Sequence, residues 1–294
     1  MSISALSAVF TNANQSGTAR LFGVGSNERT RKLPKSLMQS YGIHRNLSSA
    51  TVYSTSRSDG TLVLFRPLFG FFDVGDFNGD YLQIANRRSS GSVFDVDSFS
   101  AHGFNDQARS MLFIAARKDT DEIRISFRDI FLNRWKQVID AELAGTQAKR
   151  SGDPSLTWEL WPTGVSYLSS SHQYLKVHQR LRIEIDWWPD YDASITYHLR
   201  LYLDGSGKLK GYVARWAYWV EGGIKSGSIA DKLEPKVIAG MGTLNNELST
   251  QLGLLSGFSF EDLYYLPGNQ TSRAPTGVTK GTTLDDVTIV LDRV

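Results

Sequence analysis

The sequence predicts two domains: an all-β domain of antiparallel strands over residues 1–117, and an α+β domain of long antiparallel strands and amphipathic helices over residues 118–294. Three observations support this prediction. Short runs rich in Val, Ile, Leu, Phe and Tyr alternate with turn residues in the first part. The second part contains two helical patterns and three long strand patterns. All seven tryptophans lie between Trp135 and Trp219, which indicates that the two parts have different cores.

Composition limits the class of protein. With 294 residues, 41% hydrophobic and 21% charged, the chain is typical of a soluble globular protein of two domains. The N-terminal segment has neither a basic region nor a sustained apolar run, so we expect no classical secretory signal and either a cytoplasmic location or non-classical release. No apolar run approaches the roughly 20 residues that cross a bilayer. The absence of cysteine excludes disulfides and thiolate metal sites. A net charge of +2 favours neither nucleic acid nor an anionic membrane as a partner.

Six strands are predicted in the first domain, and no amphipathic helix separates them. The turn sequences SGT, SDG and FNG interrupt the runs. Such spacing predicts an antiparallel sandwich. The polar stretch ARKDTDE marks the boundary near Arg117–Thr120. The predicted strands are SAVFTNA, TARLFGV, SATVYST, TLVLFRP, DYLQIAN and SMLFIAA.

The second domain begins with a helical pattern in FRDIFLNRWKQVIDAELAG, which Gly145 ends. Three long strands follow, and Asp204 to Gly207 predicts a hairpin between the last two. Apolar residues then recur every three or four positions from Ile229 to Leu255, which predicts a long amphipathic helix. Pro235 either kinks this helix or marks its true beginning. We expect a loop from Pro267 to Lys280 and a closing strand in DVTIVLDRV.

The first domain contains an internal repeat. FTNANQSG, ARLF and YGIHRNLSSATV in the first half correspond to FDVGDFNG, YLQI and HGFNDQARSMLF in the second. In the second half, Phe72, Phe77 and Gly79 form the pattern of an aromatic, four residues, an aromatic, one residue and a glycine. The first half keeps the first aromatic and the glycine but has Gln15 at the second aromatic position.

This repeat resembles the β/γ-crystallin domain over about residues 4–117. The resemblance implies a double Greek-key sandwich that serves as a scaffold or targeting module. Members that bind calcium carry, in each half, two Asn or Asp residues, two variable residues, a Ser or Thr, and a Ser. Here the first copy keeps Ser48 and Ser49 but has His44 and Arg45 at the acidic pair, and the second copy keeps Asn105 and Asp106. Arg109 stands at a hydroxyl position, where its fixed charge would repel the ion and could pair with Asp106, so we expect weak calcium affinity.

The loop DVGDFNGDY offers a second calcium candidate. Asp76, Asn78 and Asp80 alternate as in many calcium loops, but Tyr81 stands where such loops have glycine and Arg87 where they have glutamate. The alternative is a polar hairpin tip, because Asn, Gly and Asp are common turn residues.

The segment EIDWWPDYD holds the carboxylates of the second domain that could be catalytic. They suit hydrolysis of a glycosidic bond, with Trp187 and Trp188 stacking on the sugar. The alternative is a strand end that runs into a proline turn, with the carboxylates in solvent. The candidate carboxylates are Glu184, Asp186, Asp190 and Asp192.

Aromatic residues of the last long strand suggest a binding face. Strict alternation places Tyr212, Trp216 and Tyr218 on one side and Trp219 on the other. Such a face is either the core beneath the long helix or a stacking surface for sugars or apolar ligands. The combination of long strands with a long helix also resembles, in pattern, tubular lipid-binding folds.

These observations predict a non-enzymatic binding protein. We expect the second domain to bind an apolar, lipid or glycan ligand, with no obligatory cofactor. Two alternatives remain at this point. One is a secreted cytolytic or insecticidal toxin-like protein, and the other is a glycan hydrolase that uses the carboxylates between Glu184 and Asp192.

Overall fold

The computed structural model describes residues 3–25, 28–66, 76–118, 120–159, 168, 172–186, 189–273, 275–284 and 286–293. Over these residues the protein is mostly β-sheet with few helices. The chain divides into two compact units. Unit 1 comprises Met1–Arg124, Asp262–Thr283 and Thr288–Val294, and unit 2 comprises Ile125–Glu261 and Leu284–Val287. No helix among the described residues is both long enough and apolar enough to span a membrane.

Unit 1 contains two sheets whose apolar faces share a core. The first has the strand order β2-β1-β4-β7, and the second has the order β6-β5-β8-β3 with one further strand at its edge. Val9, Val52, Leu64 and Phe113 are fully buried in the core. The eight strands are β1 (Ile3–Asn12), β2 (Ser16–Gly25), β3 (Thr30–Leu33), β4 (Ser49–Tyr53), β5 (Ser58–Arg66), β6 (Asp80–Asn86), β7 (Val93–Val96) and β8 (Ser110–Arg117). A short helix, α1 (Lys35–Ser40), and a 3₁₀ turn, Phe99–His102, complete these layers.

The two halves of the predicted repeat exchange one strand. Strands β1 to β4 come from the first half and β5 to β8 from the second. Each sheet therefore contains three strands of one half and the third strand of the other.

The backbone conformation also repeats between the two halves. Gln15 and Phe77 both have positive φ angles, 53° and 62°. The N–H group of Gln15 donates to the Ser49 hydroxyl at 3.1 Å, and that of Phe77 donates to the Ser110 hydroxyl at 2.8 Å. The two hairpin tips are thus held by equivalent serines.

The C-terminal part of the chain adds strands to unit 1. The strand β16 (Gly277–Thr282) pairs antiparallel with β6 and extends the second sheet, although the sequence analysis expects a loop as far as Lys280. A further sheet, of order β15-β17-β9, has most of its residues in unit 1. It consists of β9 (Glu122–Ser126), β15 (Phe260–Pro267) and β17 (Val287–Arg293), and β17 is the predicted closing strand.

Unit 2 is built on one antiparallel sheet of order β10-β12-β13-β14, with β11 also paired to β12. Both predicted helices, the three long strands and the hairpin turn at Asp204 are confirmed. A π-helical turn, Arg128–Leu132, precedes the first helix. The elements are α2 (Asn133–Leu143), β10 (Ala148–Arg150), β11 (Ser155–Glu159), β12 (Tyr174–Ile183), β13 (Tyr191–Leu203), β14 (Leu209–Val220) and α3 (Ser226–Gly253).

One β-bulge changes which side chains share a face of β14. Tyr197 pairs with Trp216, but Leu199 pairs with Val213, so β14 carries one extra residue between these pairs. Trp216 therefore lies on the same face as Tyr197, whereas Tyr212 lies on the opposite face. The strict alternation assumed in the sequence analysis is wrong at this point, because the bulge shifts the period by one residue.

Candidate functional site

A cavity of about 400 Å³ lies beside the first half of α3 in unit 2. Its other walls are the loop that joins α2 to β10 and the end of β12. Pockets of this size hold small molecules in many proteins. The lining residues are Leu143, Gly145, Thr146, Gln147, Ala148, Ile183, Ile185, Lys225, Ser228, Ile229, Lys232, Leu233 and Lys236.

The inner part of the cavity is apolar. Ile229 and Leu233 project from α3, one turn apart, because residues at i and i+4 share a helix face. Leu143 at the end of α2 and Ile183 at the end of β12 close the opposite side. Each of these four side chains is less than 10% exposed. An apolar ligand group placed here would leave water for a hydrocarbon surface.

The rim of the cavity is cationic. Lys225, Lys232 and Lys236 are spaced by seven and four residues, so they lie on the same side of α3 as the apolar wall. Lys225 and Lys232 are exposed, and Lys236 is half-buried. The lining residues include no carboxylate. The site therefore combines an apolar interior with a positively charged entrance.

The second half of α3 packs tightly against the sheet. Val237, Leu244 and Leu248 are fully buried. The phenol group of Tyr197 donates to the carbonyl oxygen of Val237 at 2.7 Å. Burial and the nearby Glu142 carboxylate raise the pKa of this phenol well above its ordinary value, so it remains a donor. The cavity of about 400 Å³ thus lies at one end of the helix and does not extend along its length.

The predicted aromatic candidates do not form a single surface. Trp216 and Tyr218 stack with their ring centroids 6.2 Å apart, on the face that packs on α3, and the Tyr218 hydroxyl lies 3.4 Å from Glu234. Tyr212 lies on the other face, where its hydroxyl accepts a hydrogen bond from Arg200. Trp187 and Trp188 lie outside the described residues.

The carboxylates proposed for hydrolysis lie on the surface in ion pairs. Glu184 is 2.7 Å from Lys149. Asp190 and Asp192 each lie 3.0 Å from the guanidinium group of Arg182. Asp186 is exposed. None of the four lines the cavity, and this arrangement does not favour an acid and base pair around one bond.

The two crystallin-like loops meet, but their oxygens already have donors. The Asp106 carboxylate accepts a hydrogen bond from the Ser48 hydroxyl at 3.4 Å and one from the Asn105 amide at 2.6 Å. Burial lowers the pKa of His44, and the positive charges of Arg45 and Arg109 lower it further. The surroundings of these loops are therefore cationic. Ser48, Asn105 and Asp106 therefore lie together, and the weak calcium affinity of these loops stays a prediction.

The second calcium candidate is similarly engaged. Asp76 accepts from the Lys35 N–H at 2.9 Å, and Asp80 pairs with Arg66 at 3.1 Å. Asn78 is buried and accepts from the N–H of Gly79 and the hydroxyl of Thr283. Among the described residues, no group of three or more His, Asp or Glu side chains converges on one point.

The residues that form the cavity were not predicted from the sequence. The lysines of α3 fit the polar face of an amphipathic helix, so their spacing alone indicates only a solvated surface. The loop Leu143–Ala148 has no motif that marks it as a wall. Comparison of the chain with protein-family models, with curated proteins and with solved structures yields no significant match.

Proposed function

We propose that unit 2 is a non-enzymatic binding module for an amphipathic anion, a ligand with an apolar body and a carboxylate or phosphate group. The observation that supports this most directly is the cavity with an apolar interior and three lysines at its rim. The apolar body would contact Ile229 and Leu233, and the anionic group would lie between Lys232 and Lys236.

Two physical effects favour such a ligand. Burial of apolar surface contributes about 25 cal/mol per Å². Lys232 and Lys236 lie four residues apart on α3, where like charges repel, and an anionic group between them would relieve this repulsion. A neutral apolar molecule gains only the first effect. A small hydrophilic anion gains only the second, in a part of the site that solvent screens.

Titration with a fluorescent fatty acid tests the proposal. We expect saturable binding, a loss of affinity of about tenfold in Lys232→Gln/Lys236→Gln, and weaker binding of the matching fatty alcohol. The control is Lys149→Gln/Lys210→Gln, which removes two exposed lysines that do not line the cavity. Equal affinity for acid and alcohol, or no saturable binding, would contradict the proposal. Native mass spectrometry of the purified protein would identify a retained natural ligand.

We also infer that unit 1 is a double Greek-key sandwich of the β/γ-crystallin type that acts as a scaffold. Three features support this. The fourth strand of each half lies beside the first, as in a Greek key. The halves exchange their third strands. Equivalent serines hold the two hairpin tips.

A scaffold contributes stability and no ligand contact. We therefore expect Ser49→Ala/Ser110→Ala to lower the unfolding temperature and to leave the affinity for the fatty acid unchanged. A variant that keeps its stability but loses the ligand would contradict the scaffold role.

A further inference from the structure

The sheet of unit 2 has two faces of opposite chemistry. One face of β12, β13 and β14 is apolar and packs on the helices, as shown by the 5.1 Å between the rings of Trp135 and Tyr197. The other face, the outer face, is polar, and its residues range from exposed, as at Arg180 and Trp219, to buried, as at His198. Its charge is unusual, because β12, β13 and β14 place six cations on this face but contain only one carboxylate, Asp192. Arg182 pairs with this carboxylate at 3.0 Å. The outer-face cations are Lys176, Arg180, Arg182, Arg200, Lys210 and Arg215.

The strand register arranges the outer face in rows. Lys176, His198 and Arg215 are cross-strand partners in one row. Arg180, Ser194 and Trp219 form another. Neighbouring strands are about 4.8 Å apart, so like charges in the first row lie within about 10 Å of one another. Lys176 and Arg180, after burial itself, also lower the pKa of His178 between them. Arg180 and Lys210, which are exposed, and Arg200 add further positive charge to the outer face, and this charge favours an extended anionic partner.

Aromatic side chains accompany these cations. Trp219 is 56% exposed and Tyr212 is 38% exposed, so both rings present area to solvent. The guanidinium group of Arg200 lies 5.0 Å from the Tyr202 ring and donates to the Tyr212 hydroxyl at 3.3 Å. Trp219 pairs with Ser194 of β13, and Tyr212 pairs with Arg200 of the same strand. These two positions of β13 are about 20 Å apart, at 3.3 Å per residue.

We propose that the outer face binds single-stranded nucleic acid. Phosphates would pair with Arg180 and Arg200, and unpaired bases would stack on Trp219 and Tyr212, as on other single-strand platforms. A duplex hides its bases from such contacts, and a sulfated glycan offers charge without aromatic bases. The net charge of +2 conceals this face, because the acidic residues other than Asp192 lie outside β12, β13 and β14.

Fluorescence anisotropy with labelled 20-nucleotide single strands of DNA and RNA tests the proposal in the full chain. We expect binding that weakens with salt. Arg180→Ala/Arg200→Ala should reduce the slope of log affinity against log salt by about 0.7 for each lost phosphate contact. Trp219→Ala should weaken binding about tenfold and change the salt slope little, because stacking is not an ionic contact.

The control variant is Arg20→Ala/Arg57→Ala, which removes two exposed arginines of unit 1 and should leave nucleic acid affinity unchanged. Circular dichroism would verify the fold of each variant. The proposal is overturned if no single strand binds, if the control loses as much affinity as the double arginine variant, or if a duplex or heparin binds more tightly than the single strand. The fatty acid cavity lies beside α3 and not on the outer face, so failure of either proposal leaves the other intact.

Discussion

The hydroxyl of Tyr197 on β13 donates a 2.7 Å hydrogen bond to the carbonyl oxygen of Val237 on α3 and lies 3.0 Å from the position that a Cβ atom at Gly240 would occupy. The phenol ring is also packed edge-on against Trp135. A strand residue thus fixes the position of the helix, and the helix needs a glycine where the phenol meets it.

We expect Gly240→Ala and Gly242→Ala to have different effects, although both glycines lie in α3. Alanine favours a helix over glycine by about 1 kcal/mol, and nothing lies within 4 Å of a Cβ at Gly242. Gly242→Ala should therefore raise the free energy of unfolding by up to about 1 kcal/mol. Gly240→Ala should raise it less or lower it, because Tyr197 cannot move away. Urea unfolding measures both. Tyr197→Phe should remove the difference, and a difference that persists in its absence would argue against this contact.

We expect Ala148→Phe to block the cavity of unit 2. Ala148 lines the cavity and is only partly buried, so a larger side chain would occupy the space without replacing a core residue. Affinity for the fatty acid should fall at least tenfold, and the free energy of unfolding should change by less than about 1 kcal/mol. The comparison is Ala141→Phe, at an exposed position of α2 that does not line the cavity. Unchanged binding in Ala148→Phe would show that the ligand lies elsewhere.

The stability of unit 1 should depend on Asp292. Burial raises the pKa of this carboxyl to about 6, although Arg29 bonds to it at 3.0 Å. An unfolded aspartate has a pKa of about 3.9. The folded state therefore binds the proton more tightly, so this contribution to stability is complete below about pH 4 and is lost as the pH rises through 6. At 1.36 kcal/mol per pKa unit, the loss is up to about 3 kcal/mol.

Asp292→Asn should abolish this loss, which urea unfolding at pH 4, 5, 6 and 7 would measure. Asp262→Asn is the comparison, since Asp262 contacts the same arginine at 3.5 Å but is 32% exposed. Parallel pH profiles for the wild-type protein and Asp292→Asn would refute the assignment.

Isothermal titration of the wild-type protein with calcium should give a flat trace, because the candidate oxygens already have protein donors. A reciprocal pair of hydrogen bonds, each 2.9 Å long, joins the two loops. The Arg45 N–H donates to the Ala108 carbonyl oxygen, and the Asp106 N–H donates to the Leu47 carbonyl oxygen. Arg45→Asp/Arg109→Ser should therefore create a second Ser and Asp pair and introduce measurable calcium binding. Saturable binding by the wild-type protein would contradict the first expectation.

The elements with strong local signals could be predicted from the sequence. The apolar repeat of α3 and the turn residues from Asp204 to Gly207 act within a few positions, so local physics determines them. The pairing of β16 with β6 joins segments about 200 residues apart, and no local pattern encodes it. The bulge in β14 places Tyr212 on the face opposite to the predicted one, because the extra residue interrupts the two-residue alternation of side chains.

The candidate site was less predictable than the fold. Its walls come from three separate segments, and only one of them, α3, had a clear pattern. The same lysines indicate a solvated helix face until Leu143 and Ile183 are placed opposite them. Charge on the outer face was hidden for a related reason, since net charge averages over the whole chain, whereas β12, β13 and β14 contain a single carboxylate, Asp192.

Pro235 lies inside α3, near the C-terminal end of the stretch that lines the cavity, which reaches Lys236, and before the fully buried Val237. Proline has no N–H group, so the helix lacks one backbone hydrogen bond there. We therefore expect the segment before Pro235 to open more readily than the segment after it. We expect amides of residues 226–234 to exchange with deuterium faster than those of residues 240–252, and a bound ligand to slow only the first group. The proline would then serve as a hinge that admits a ligand without disturbing the packed half.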